Sequence, residues 1–173
     1  MSQQTLTPVR KPRAWTQRLR ALLVAALLSF SVGAIADPVI ANQILQAVRY
    51  DRQILDMDLQ IARSFVQNGN IAQARLYYTR AQMDATMLSV QLAKLQQQNL
   101  DSLNRGLYSN RAAMELAVSK GQMSRLQSQY IEMDLAILSQ LPTSMEHRVK
   151  LDMDLFVFNM TMMQLEQAMR DAA

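Results

Sequence analysis

The sequence has no cysteine, only four glycines and four prolines, and 6% aromatic residues in a chain of 173. Without cysteine, a disulfide scaffold, thiol catalysis and a thiolate metal site are excluded. The scarcity of glycine and proline excludes collagen-like and low-complexity chains and argues against a turn-rich β-sandwich. Half of the residues are hydrophobic, which is enough apolar surface to exclude a disordered chain. The length suits one domain.

Acidic residues are absent from the first 36 positions, which have the features of an export signal. Five basic residues precede or lie beside a charge-free run from Ala21 to Ala36, and this run ends in Ala34-Ile35-Ala36. A positive start, a short apolar segment and a small-x-small end define a secretory signal peptide. The apolar run is shorter than the ~20 residues that span a bilayer core. We predict a signal peptide at residues 1–36 and a periplasmic protein, with secretion from the cell and an uncleaved inner-membrane anchor as alternatives.

The net charge of +4 belongs to this segment. Of the 18 basic residues, five precede residue 37, whereas all 14 acidic residues follow it, which leaves 13 basic against 14 acidic residues. The remaining lysines and arginines are scattered and form no basic patch that could bind phosphate groups. We therefore expect no nucleic-acid partner. Contact with a membrane is expected only through the signal segment before cleavage.

The few helix breakers after residue 36 divide the chain into helices. Glycine occurs there only at positions 69, 106 and 121, and proline only at 38 and 142. No segment alternates between apolar and polar residues as a strand does. We therefore predict a single all-α domain at residues 37–173, an antiparallel bundle or short array of about four to five helices. Their approximate limits are residues 38–67, 71–98, 100–119, 122–141 and 144–170.

Apolar residues in two of these helices have coiled-coil spacing. Steps of three and four predict a buried seam in the second helix, formed by Ile71, Ala74, Tyr78, Ala81, Ala85, Leu88, Leu92 and Leu95. The same spacing recurs later at Met123, Leu126, Tyr130, Met133 and Ile137. Thr143 or Ser144 can cap the last helix, and Thr143 to Glu146 fits a capping box.

The last helix carries two apolar stripes on opposite faces. The first consists of Leu151, Leu155, Phe158, Met162, Leu165 and Met169, and the second of Val149, Met153, Phe156, Met160 and Met163. One interpretation buries the helix between two layers of its own chain. The other directs the second stripe to another molecule, for which methionine and phenylalanine are adaptable contacts. The candidate partner-binding residues are Met153, Phe156, Met160 and Met163.

Residues 55–88 resemble one tetratricopeptide (TPR) repeat, which has a period of 34 residues. The positions that carry the resemblance are Ala62 and Phe65 on the first helix, Gly69 at the turn, and Ala74, Tyr78 and Ala81 on the second helix. The small residues allow two helices to approach closely, and the aromatic residues fill wider gaps. Asp58 and Thr86 depart from the pattern, and no second copy follows at the same period. The resemblance implies protein or peptide binding, and an ordinary helical hairpin is the alternative.

A short motif of the form apolar-acid-Met-Asp-Leu occurs three times, starting at Leu55, Ile131 and Leu151. Acids two positions apart on a helix diverge by about 200°, so they cannot chelate one ion together. We interpret them as solvated acids that flank a buried stripe. Duplication of a helical unit is the alternative.

The sequence offers no catalytic constellation. The only histidine, His147, lies at the start of a helix, where we expect a surface position. There is no nucleophile elbow and no glycine-rich phosphate loop. We therefore expect no enzyme activity, no catalytic residues, no cofactor and no metal site.

Methionine is the one enriched residue type, with 12 copies after residue 36. We expect most of them to fill gaps in the core. Three functions fit the sequence: a protein-binding subunit or adaptor of an envelope or secretion assembly, a holdase-like chaperone, and a copper-binding bundle. Clusters at Met160, Met162 and Met163 and at Met83 and Met87 motivate the copper hypothesis. The partner is a protein of unknown identity, and a homo-oligomer fits the same pattern.

Overall fold

The computed structural model describes the backbone of residues 13–173 and the side chains of residues 39–173. Within this part the chain forms four helices and no strand, which confirms the all-α prediction: α1 (Arg13–Gln67), α2 (Ile71–Arg105), α3 (Arg111–Gln140) and α4 (Met145–Ala172). The chain divides into two units, Met1–Ala36 and Asp37–Ala173. The predicted signal peptide and its cleavage site lie outside the residues whose side chains are described. No helix in the described part has a stretch long and apolar enough to cross a membrane.

The second unit is an antiparallel four-helix bundle. Each helix is joined to the next by at least one polar side-chain contact, and α4 returns to α1. These contacts are Arg80 Nε to Asp58 Oδ2 at 3.0 Å, Thr86 Oγ1 to Glu132 Oε1 at 2.9 Å, Lys150 Nζ to Asp134 Oδ1 at 3.2 Å, and Arg49 Nη2 to Glu166 Oε2 at 2.5 Å. Second contacts, Phe65 with Tyr77 and Arg63 with Asp152, show that residue numbers rise on α1 as they fall on α2 and on α4. Neighbouring helices therefore run in opposite directions, as short loops require.

One continuous apolar core runs along the bundle axis. The predicted α2 seam lies in it, because every seam residue from Ala74 to Leu95 is buried. Leucines of α1 and α4 fill the facing side, among them Leu55, Leu59, Leu151 and Leu165. Burial of a leucine side chain contributes roughly 1.5–3 kcal/mol, so this core is the main source of stability.

The turn between α1 and α2 forms at the predicted Asn68-Gly69-Asn70. Gly69 has a φ of 72°, a left-handed conformation that glycine adopts without a steric penalty. The amide of Asn70 donates to the carbonyl oxygen of Phe65. The side chain of Asn70 then accepts a hydrogen bond from the amide of Gln73 at 3.2 Å, which caps α2.

The predicted helix limits near the middle of the chain are wrong. α2 does not end at residue 98 but continues to Arg105, because Asn99 and Ser102 extend its buried face with polar residues that an apolar pattern does not detect. The predicted helices 100–119 and 122–141 are not separate: residues 100–105 belong to α2, and one helix, α3, runs from Arg111 to Gln140. Gly121 does not break it: this glycine is buried inside α3 and faces Gln96 of α2.

The ends of α1 and α4 also differ from the prediction. α1 begins at Arg13 rather than at residue 38, because the alanines and leucines of the apolar run are strong helix formers. α4 begins at Met145, and its N-cap is Ser144, without a side-chain capping bond. The capping box predicted at Thr143 and Glu146 therefore does not form.

We expect Gly121→Ala to stabilise the domain by roughly 0.5–1 kcal/mol, since glycine in a helix interior is worse than alanine by about that amount. A Cβ at this position would lie 3.7 Å from the Cα of Gln96, an ordinary van der Waals contact. Urea denaturation followed by circular dichroism measures the change in the free energy of unfolding.

The control is Gly69→Ala, which places alanine in the left-handed conformation. We expect it to destabilise the domain by roughly 1–2 kcal/mol. A loss of stability in the Gly121 variant would show that the helices cannot accept a methyl group there.

Candidate functional site

The outer surface of α4 carries the stripe predicted to bind a partner. We call Val149, Met153, Phe156, Met160 and Met163 the outer α4 stripe; their exposed fractions are 47%, 63%, 67%, 42% and 57%. The opposite stripe of α4 enters the core, where Leu151, Phe158 and Leu165 are at most 1% exposed. Successive side chains turn by 100°, so burial of one stripe holds the other outward. The interpretation that both stripes lie between layers of this chain is wrong.

Around Phe156 the surface is slightly concave. Val149, Asp152, Met153, Phe156 and Val157 line a shallow depression there. Its walls are mostly apolar, and the one charged member, Asp152, forms an ion pair with Arg63 of α1. The depression therefore presents methionine and phenylalanine side chains with little unpaired charge.

Outer apolar stripes also occur on α2 and α3. On α2 the exposed members are Leu76, Met83, Met87 and Val90, and on α3 they are Leu116, Met123, Leu126, Tyr130 and Met133. Four of these α3 residues, Met123, Leu126, Tyr130 and Met133, belong to the series with coiled-coil spacing, yet they are exposed. The buried face of α3 instead uses small and polar residues, including Ala117, Gly121, Ser124 and Ser128. These small residues bring α3 close to its neighbours in its middle part, and Ile131, Leu135 and Leu138 fill the core toward its end.

Most methionines are on the surface, so the prediction that they fill core gaps is wrong. Nine of the twelve after residue 36 are exposed, and only Met114 and Met162 are buried. The triplet considered for copper is divided, since Met162 is buried while Met160 and Met163 face outward. Met83 and Met87 are both exposed on one face of α2.

The residues that carry the TPR resemblance lie at the contact between α1 and α2. Ala62, Ala74, Tyr78 and Ala81 are fully buried. Phe65 is half-buried, and its ring stacks on Tyr77 with 5.5 Å between the centroids. These residues place the two helices closely against each other.

A buried ionic cluster between α3 and α4 was not predicted. Asp134 is completely buried, and its Oδ1 atom lies 3.2 Å from both Nδ1 of His147 and Nζ of Lys150. His147 is therefore a half-buried partner of Asp134 rather than the predicted surface residue. Oδ2 of Asp134 and Oδ2 of Asp154 have no donor in the structure. A proton shared between the two carboxyl groups would satisfy both atoms.

The contact between α1 and α2 contains a matching pair. Asp58 is buried and lies 3.0 Å from Arg80 Nε, and Asp84 is its carboxyl neighbour on α2. Burial raises the pKa of Asp84, and the charge of Asp58 raises it further. Burial likewise raises the pKa of Asp154, together with a hydrogen bond to Asp134.

The repeated apolar-acid-Met-Asp-Leu motif was the signal for these pairs. Its fourth residue is Asp58, Asp134 or Asp154, and the first two are buried while the third is half-buried. The interpretation of both acids as solvated is wrong for Asp58 and Asp134, because each is buried and pairs with a cation of the neighbouring helix, Arg80 or Lys150. In residues 39–173 no three histidine, aspartate or glutamate side chains converge as metal ligands would. The pairs can store a proton and couple adjacent helices.

Comparison with known proteins gives no relative: no family model, no curated protein and no solved structure matches this chain. The candidate site therefore rests on the geometry of the outer α4 stripe alone.

The carboxyl pairs make the stability of the domain depend on pH. Because the pKa values of Asp84 and Asp154 are raised in the folded state, folding favours their protonated forms. Their contribution to stability is complete below the unfolded pKa of about 3.9 and is lost as pH rises through the raised values. We expect Asp154→Asn to unfold at higher urea concentration than the parent protein at pH 7, with the difference shrinking toward pH 4.

The matched control is Asp152→Asn, two residues away on α4, where the carboxylate is exposed and paired with Arg63. This variant should not reduce the difference in stability between pH 4 and pH 7. An Asp154 variant with the full pH dependence of the parent would contradict the role of the pair.

Proposed function

We propose that this protein is a non-enzymatic interaction subunit of the bacterial periplasm, an adaptor that binds a partner protein through the outer α4 stripe. One observation supports the proposal above the others: the two apolar stripes of α4 are equally regular, yet only one is used by the core. Large apolar side chains in a contiguous exposed row mark interaction sites.

The chemistry of the stripe fits a helical or grooved protein surface. Its members follow the i, i+4, i+7 spacing by which amphipathic helices lie in apolar grooves. From Val149 to Met163 the stripe is roughly 21 Å long at ~1.5 Å per residue. Three methionines give it contacts that adapt to a partner of imperfect shape.

The cellular location in this proposal comes from the predicted signal peptide. A nearly neutral chain after residue 36 is consistent with protein contacts rather than phosphate contacts. The TPR resemblance of the α1–α2 hairpin supports the same binding role. Membership in an envelope or secretion assembly fits a small helical protein of this kind, and self-association through the stripe is the competing outcome.

We expect Met160→Ser with Met163→Ser to keep the fold and abolish partner binding, because both side chains are exposed in the free protein. A photo-crosslinking residue at position 156 of the parent should capture the partner in living cells and should lose it in the double variant. The mass of the adduct distinguishes a second copy of this chain from another protein.

Two controls make this result specific. Met162→Ser changes the neighbouring buried methionine and should cost roughly 2–5 kcal/mol of stability, as core truncations do. The same crosslinker at Gln53, an exposed position on α1, should capture nothing. If Met160→Ser with Met163→Ser destabilises the domain as strongly as Met162→Ser, the stripe belongs to the core and the proposal fails.

A holdase-like chaperone is the second candidate, supported by the nine exposed methionines spread over all four helices. In that case the purified protein should suppress aggregation of an unfolded client at near-equal ratio. Light scattering should show this protection to weaken when Met83, Met87, Met123 and Met133 are changed to serine together. An adaptor with one specific site would show no such protection.

A further inference from the structure

A cavity of about 270 Å³ lies at one end of the bundle, far along α4 from the depression at Phe156. The start of the described part of α1, the end of α2, the loop after α2 and the end of α4 meet around it. Leu45, Leu107, Met114 and Met169 form apolar walls. Leu45 and Met114 are themselves buried core residues, so the cavity opens directly onto the core.

One wall of the cavity is polar where an apolar residue is expected. The buried seam of α2 consists of Leu88, Leu92 and Leu95 and then changes to Asn99 and Ser102 as it reaches the cavity. Asn99 is 2% exposed, and its side-chain Nδ2 has no acceptor in the structure. A buried donor without a partner is costly, and each such group in a folded protein calls for an explanation. A bound acceptor would supply one.

The rim carries two arginines and one glutamate. Arg49 is fully engaged with Glu166, to which it donates two hydrogen bonds of 3.1 and 2.5 Å. Arg170, four residues after Glu166 on α4, also lines the cavity, and its Nη1 atom is 3.9 Å from Glu166 Oε2, beyond a hydrogen bond. Its Nη2 atom donates only to Gln167. Among the described side chains of the rim, the guanidinium groups of Arg49 and Arg170 thus share the single carboxylate of Glu166.

We propose that this cavity binds a small aliphatic carboxylate. The aliphatic chain lies between Leu45, Met114 and Met169, and the carboxylate accepts from Nδ2 of Asn99 with Arg170 as its counter-charge. At ~30 Å³ for each water-sized group, the cavity accommodates about nine such groups. If each methylene, methyl or carboxylate group counts as one, the ligand has a chain of about eight carbons. This site is separate from the outer α4 stripe and does not depend on the function proposed for it.

The test is titration of the purified protein, carrying ¹³C-methyl methionine, with sodium octanoate below its micelle concentration. We expect the methyl resonances of Met114 and Met169 to shift, and those of Met153 and Met163 to stay. Octylammonium, which has the same tail but no acceptor and the opposite charge, should bind at least tenfold more weakly.

Two variants test the assignment of residues. Asn99→Leu should weaken octanoate binding about tenfold or more, because it removes a donor to a charged group, whereas Gln97→Leu, on the exposed face of the same turn, should leave it unchanged. Ala41→Leu should block binding by filling the cavity that Ala41 lines.

Shifts confined to Met153 and Met163 would overturn the proposal, since they would place octanoate on the outer stripe. Equal binding by the parent and the Ala41 variant, or no binding by the parent, would overturn it too. Neither result bears on partner capture through position 156, so failure here is distinguishable from failure of the proposed adaptor function.

Discussion

A four-helix bundle has one axial core, so it can bury only one stripe of each helix. In this chain α2, α3 and α4 each carry two. The core takes Ala74, Ala81 and Ala85 from α2 and Ala117 and Gly121 from α3, and these small residues bring the helices together. Leucines from all four helices complete the packing. The packing of the core therefore leaves the other methionines, leucines and the phenylalanine exposed, and it fixes their positions on the surface.

The same geometry explains why acidic residues recur beside methionine. Every helix of the bundle contains a Met-Asp pair: Met57-Asp58, Met83-Asp84, Met133-Asp134 and Met153-Asp154. The four Met-Asp pairs lie at the same height along the bundle axis. Contacts between adjacent helices show this: Asp58 with Asp84, Thr86 with Glu132, and Asp134 with Asp154. Consecutive residues of a helix point in directions about 100° apart, so in each pair the methionine is exposed and the aspartate is directed to the adjacent helix. The short motif thus marks one layer of the bundle rather than a run of solvated acids.

The sequence was informative wherever a local rule decides the structure. Gly69 between two asparagines located a turn, the leucine and alanine seam of α2 located the core, and the two stripes of α4 were both visible. It failed where distant residues decide. Spacing cannot tell which stripe faces inward when the buried one is made of Gly121, Ser124 and Ser128, and it cannot pair Asp134 with His147 across a loop.

Rigid support is what makes the outer α4 stripe suited to recognition. Leu151, Phe158 and Leu165 are locked in the core on the opposite side of the same helix, and Arg63 and Arg49 hold its flank to α1 through Asp152 and Glu166. The backbone that presents Met153 and Phe156 is therefore ordered before any partner arrives. Association then orders only side chains. Because the entropy lost in ordering groups on binding subtracts directly from affinity, a short apolar row on a fixed helix can bind where the same residues on a mobile segment could not.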